Sequence, residues 1–189
     1  MRISRLLGIL LLTTALAAAC VQQGANLPPL PQTTQSAYRL GPEDVVRVTV
    51  FNDPRLTGEF RVSDAGTIAL PLVGTIRVAG RTTDEVERAV EQEMQQKNLF
   101  RDPSAAVQVL TYRPVFVHGL VERGGQFAYQ PGMTALTGVA VAGGFNYRAV
   151  RDYVSVTRIG ADGRPVEYRA PREALLLPGD VVTVFERRF

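Results

Sequence analysis

Gly41-Pro42-Glu43-Asp44-Val45-Val46-Arg47-Val48-Thr49-Val50-Phe51 and Pro178-Gly179-Asp180-Val181-Val182-Thr183-Val184-Phe185 repeat one theme at opposite ends of the folded chain. In each, Gly and Pro set a turn, an Asp is placed to bond back onto the turn backbone, and a β-branched run launches a strand. The repeat predicts an α+β chain of two small, mainly β modules, each with one packed helix.

Working outward from the first copy, Val46, Val48 and Val50 alternate with Arg47 and Thr49, as a strand with one buried face requires. Phe60 and Val62 lead into the turn Ser63-Asp64-Ala65-Gly66, after which Thr67 to Leu70 is expected to pair back as a hairpin. Gly74 and Gly80 bracket another short strand. The period then changes from two to 3.6: Thr82 and Glu85 form a capping box, and Val86, Ala89, Val90 and Met94 make one apolar stripe. A strand from Ala105 to Thr111 closes the module.

The second module opens with Val115 to Gly119, turns at Glu122 to Gly125, and resumes through Gln126 to Gln130. A short helix from Met133-Thr134 is expected to bury Leu136, Val139 and Ala140 and to end at Gly143-Gly144, where positive φ is available. Tyr153 to Ile159 and Pro165 to Tyr168 read as a hairpin, and the second copy of the repeat completes the module.

The N-terminus has the layout of a secretion signal: Arg2 and Arg5, an apolar run from Leu6 to Leu16, then Ala17-Ala18-Ala19-Cys20. The run is shorter than the ~20 residues of a spanning helix, so residues 1–19 are read as a removed signal peptide. Ordinary cleavage would cut at the same bond as lipoprotein processing, so spacing alone does not separate a free from a lipid-modified Cys20. It is the sole cysteine of the chain, which rules out an intrachain disulfide as its reason. Residues 21 to 37 are uncharged and carry Pro28, Pro29 and Pro31, so residues 20–37 are expected to be an extended linker from that anchor. In polyproline II form it would reach roughly 55 Å.

Removing the signal takes off two positive charges and lowers the net charge from +3 to +1. Twenty Arg stand against the single Lys97, without an Arg track interleaved with aromatics, so nucleic acid is not an expected partner. Catalytic equipment is sparse. His118, the one histidine, falls inside a strand and is read as a core or interface residue, with no second His or further Cys for a metal cluster. Glycosidases need two facing carboxylates, and Asp44 and Asp180 are more simply read as bonding to their own turns. No Gly-rich phosphate loop followed by Lys occurs. The reading is a non-enzyme with no cofactor, metal site or catalytic residue. Phe127, Tyr129, Phe145 and Tyr147 are candidates to stack on sugar faces or to serve as core.

Several of these segments resemble a known family. Tyr38-Arg39-Leu40-Gly41-Pro42-Glu43-Asp44, the 61–68 hairpin, Leu70-Pro71-Leu72-Val73-Gly74 and Arg101-Asp102-Pro103 are similar to the polysaccharide export domain, assigned to residues 38–113. Val115-Phe116-Val117-His118-Gly119, Gly124-Gly125-Gln126, Ala142-Gly143-Gly144-Phe145 and Leu177-Pro178-Gly179-Asp180 resemble the soluble-ligand-binding β-grasp domain that accompanies it, assigned to residues 114–189. Glu43 stands where the family usually has Gly, and Gly124 where it often has Pro. Leu16 to Cys20 resembles a lipobox, with Ala17 where Leu is usual; Val21 favours outer-membrane sorting.

The family resembled is the outer-membrane polysaccharide export lipoproteins. Membership implies a homo-oligomeric ring carrying capsular polysaccharide or exopolysaccharide, held at the periplasmic face of the outer membrane by a lipid on Cys20. It also implies an inner-membrane co-polymerase as partner. Larger members add a C-terminal amphipathic helix; the ending Glu186-Arg187-Arg188-Phe189 implies a short form working with a separate outer-membrane β-barrel. The alternative is a non-channel periplasmic glycan-binding lipoprotein. The resemblance assigns no channel-lining residue.

Overall fold

A computed structural model describes residues 23–31, 37–160 and 162–187; the signal segment and Cys20 lie outside the described residues. Two apolar cores organise the chain. The first gathers buried side chains from Leu40 to Val107, the second from Val115 to Val184.

Around the first core, β1 (Val45–Val50) is the middle strand of an antiparallel sheet, between β2 (Gly58–Arg61) and β5 (Ala105–Thr111). Its alternation buries Val46, Val48 and Val50. β3 (Thr67–Leu70) pairs with β4 (Gly74–Arg77), not with β2 as the sequence reading expected. The 63–66 turn does form, with Ser63 N–H on Thr67 O at 2.9 Å, but Val62 stays with β1 through Asp44 O at 2.8 Å. The chain therefore parts after the turn, and β3 finds its ladder in the next strand.

Helix α1 (Thr83–Gln96) begins at the capping box of Thr82 and Glu85 and buries Val86, Val90 and Met94. Its outer face also serves the sheet. Glu91 and Glu87 accept the backbone N–H groups of Ala105 and Val107 at 2.9 and 2.8 Å, occupying donors on the edge of β5.

The second core lies on a five-stranded sheet in the order β7 (Gly125–Phe127), β6 (Val115–Gly119), β10 (Val181–Val184), β8 (Tyr153–Ile159), β9 (Pro165–Pro171). β6 and β10 run parallel; the other neighbours are antiparallel. Helix α2 (Ala135–Val141) packs on it through Ala135, Gly138 and Val139. Leu136, expected inside, is 39 % exposed, and Ala140 is exposed too. The reason is Gly138: a Cβ there would stand 3.2 Å from Leu176 Cδ1 and 3.7 Å from Val117 Cγ2, so the helix comes close along its smallest residue.

The segment expected to be a free linker is docked over residues 23–31. Pro29 bridges Arg169 in parallel, with Arg169 N–H on Pro28 O and Leu30 N–H on Arg169 O, both at 2.8 Å. Proline suits this position because its neighbours make both bonds and its missing N–H costs nothing at an edge. Leu30 packs on the second core, and the Tyr153 hydroxyl donates to Gln23 O at 2.8 Å. Arg169 stacks 3.8 Å over the Tyr153 ring beneath it. This strap covers the β9 edge. Native-state hydrogen exchange should therefore find the amides of Leu30 and Arg169 protected together; free-chain rates at Leu30 would contradict the docking.

Candidate functional site

The repeated turns explain themselves once their bonds are traced. Asp44 is fully buried, and its Oδ2 accepts the Gly41 N–H three residues back at 2.8 Å. Asp180, 1 % exposed, takes the Leu177 N–H in the same way at 2.7 Å. In both, the side chain locks the turn by bonding back to its first residue. Each also faces a guanidinium. Arg158 grips Asp180 with two charge-assisted bonds, Nε to Oδ1 at 2.9 Å and Nη2 to Oδ2 at 2.7 Å. Arg113 Nε stands 3.6 Å from Asp44 Oδ1, an ion pair beyond hydrogen-bond reach, and the same oxygen accepts the Arg113 backbone N–H at 2.9 Å.

The residue before each Asp has left-handed backbone, Gly179 at φ 91° and Glu43 at φ 73°. Glycine is at ease there; glutamate is strained by about 1 kcal/mol. The position where the sequence departs from the resembled family is thus one where glycine has a physical reason.

Both turns close on the same three residues, Tyr112-Arg113-Pro114, which join β5 to β6. Asp44 holds the Arg113 N–H from one side, while Gly179 N–H donates to Pro114 O at 3.0 Å from the other. Tyr38 completes the joint. Its hydroxyl donates to Asp44 Oδ2 at 2.6 Å and accepts from Arg113 Nη2 at 3.0 Å. Burial first, then the bond to Asp44, hold its phenol well above the usual tyrosine range.

A cleft of about 480 Å³ opens beside this joint, lined from both modules. Its aromatic lining is a chain of tyrosines. Tyr38 meets Tyr112 edge-on at 5.0 Å between centroids, and Tyr112 meets Tyr129 at 5.6 Å. Arg39, Arg113 and Arg158 supply its polar rim, and Ile159 stands 61 % exposed at its wall. Of the four aromatics singled out from sequence, Tyr129 alone lines the cleft; Phe127 and Phe145 pack on the second core, and Tyr147 is 79 % exposed. Tyr38 and Tyr112 were not singled out, although Tyr-Arg stands at both 38–39 and 112–113. His118 is not a core residue: it lies exposed on β6, with Nε2 3.1 Å from Thr183 Oγ1. No group of metal-ligating side chains occurs among the described residues.

Residues 32–110 match the family described as polysaccharide biosynthesis/export protein, covering the first core and the Asp44 turn. Over that segment the chain is similar to the polysaccharide export family. It is 33 % identical over 179 residues to the exopolysaccharide production protein ExoF of Rhizobium meliloti (strain 1021), across 86 % of this chain and 40 % of that one. It is 27 % identical over 198 residues to the EPS I polysaccharide export outer membrane protein EpsA of Ralstonia nicotianae (strain ATCC BAA-1114 / GMI1000), across 87 % and 51 %. The EpsA of Ralstonia solanacearum is 28 % identical over 183 residues, across 79 % and 48 %. The chain spans between two-fifths and about half the length of these curated relatives. Their names describe production and export proteins rather than enzymes.

Two outcomes follow from the joint. Glu43→Gly should raise stability in chemical denaturation by about 1 kcal/mol, by relieving the left-handed strain. Because the Tyr38 pKa is raised on folding, its contribution is intact below the ordinary tyrosine value. Stability should therefore fall as pH climbs above about 10, the unfolded value, and Tyr38→Phe should flatten that alkaline slope.

Proposed function

We propose that this protein is a subunit of a ring-shaped channel that exports capsular polysaccharide or exopolysaccharide through the periplasm to the outer membrane. The observation that carries the reading is the extent of the match to ExoF, over 86 % of the chain, together with relatives named for polysaccharide export. On this reading residues 38–113 are the export domain, residues 114–189 a soluble-ligand-binding β-grasp domain, and Cys20 carries a lipid anchor. Partners are further copies of the chain, an inner-membrane co-polymerase and a separate outer-membrane β-barrel. No helix among the described residues is long and apolar enough to cross a membrane.

The clamped joint supports the ring. A closed ring repeats one rotation, so an angular error in each subunit accumulates and closure fails unless every copy holds the same shape. The Asp44 carboxylate and the Gly179 N–H, bonded to one connector from the two turns, favour a single relative orientation of the modules. A polymer in transit also needs weak, distributed contacts, which agrees with a reading that assigns no catalytic group. The second reading, a glycan-binding lipoprotein outside any channel, is favoured by the tyrosine-lined cleft.

Deleting the gene should remove polysaccharide from the cell surface, and restoring it should bring the polymer back. The full chain extracted in detergent should sediment as a closed oligomer. Unchanged surface polymer in a strain without a redundant homologue, or a strict monomer at high concentration, would sink the channel reading.

A further inference from the structure

The geometry points to the inter-module cleft as a binding site for a short stretch of uncharged saccharide, held by tyrosine faces and arginine hydrogen bonds. The inference rests on the export reading and gives it a place of contact.

Size is the first support: about 480 Å³ falls within the ~300–1,000 Å³ of small-ligand pockets. Chemistry is the second. Tyr38–Tyr112 and Tyr112–Tyr129 meet at 71° and 67°, so consecutive rings turn a corner instead of forming one flat wall. A pyranose has an apolar C–H face and a hydroxylated edge, and such a corner offers it ring surface in two directions.

Charge decides between saccharide classes. Each arginine of the cleft is coupled to an acid: Arg39 to Glu85 at 3.1 Å, Arg158 to Asp180 at 2.7 Å, Arg113 to Asp44 at 3.6 Å. The site therefore holds hydrogen-bond donors without surplus positive charge, which suits hydroxyl groups better than carboxylates. A purely apolar peptide fits worse, because it would strip water from the guanidinium groups and return no hydrogen bonds. The two modules share the lining, with Tyr38 on one side and Tyr129, Arg158 and Ile159 on the other. A bound sugar would touch both halves of one subunit.

The test uses the full chain in detergent and oligosaccharides cut from the producing cell's own surface polysaccharide, separated into neutral and acidic fractions. The chain has no Trp, so tyrosine fluorescence is read without an indole background, and three of its six tyrosines, Tyr38, Tyr112 and Tyr129, line the cleft. The neutral fraction should bind with little dependence on salt, and Tyr129→Ala should weaken it about tenfold. Tyr129 also packs on the second core, so Ile159→Arg, on an exposed side chain, serves as the second variant and should weaken binding equally with folding intact. Preference for the acidic fraction with strong salt dependence would overturn the inference. So would no binding by either fraction, unchanged affinity in Ile159→Arg, or an oligomer broken by that variant with sugar binding preserved. Gene deletion separates the two levels: surface polymer lost on deletion and restored by the wild-type gene, with no saccharide bound by the wild-type chain, removes the cleft and leaves the export reading standing.

Discussion

The connector Tyr112-Arg113-Pro114 is held from both ends of the chain, and that double grip is the constraint on which the rest of the architecture depends. Residues 69 positions apart meet when Asp44 accepts the Arg113 N–H, and Gly179 reaches back to Pro114. Each core could form from its own strands and helix, but the angle between them is set here. The grip is strong because it is dry. Buried carboxylates are tolerable only when their lone pairs are filled, and both aspartates are filled by turn amides together with a guanidinium, connector or tyrosine donor. Losing Asp180 would leave the Arg158 charge, 16 % exposed, without its carboxylate, a change that typically costs about 3–5 kcal/mol.

Repetition of the turn has a deeper meaning than duplicated secondary structure. In both copies the left-handed residue lets the following Asp fold back on the turn, and the strand that follows enters the middle of a sheet, β1 between β2 and β5, β10 between β6 and β8. A device that locks a turn at the head of a central strand is well placed to carry a joint, since the strand it leads is the least mobile part of its module.

Local features were legible in sequence where the physics is local. The capping box of α1, the alternation of β1 and the back-bonding of Asp44 and Asp180 onto their turns each depend on residues within one or two turns of chain. What escaped was decided at a distance. Helix α2 turned by a residue because Leu176 and Val117 leave room only for Gly138, and β3 changed partner because Val62 is retained by β1. Proline-rich residues 28–30 looked like free chain because their bonding partner, Arg169, lies far along the sequence. The cleft was hidden for the same reason: Tyr38 and Arg113 are 75 positions apart, and no periodicity joins them.

The strap over β9 changes what an anchor at the N-terminus would mean mechanically. Gln23 is already tied to the Tyr153 hydroxyl, so only three peptide units, about 10 Å at full stretch, separate that tie from Cys20. A lipid placed there would act as a short mooring instead of a long leash. The second module would ride directly on the bilayer surface, its sheet edge serving as the cleat, and the export domain would be positioned by the rigid joint and not by the slack of a linker.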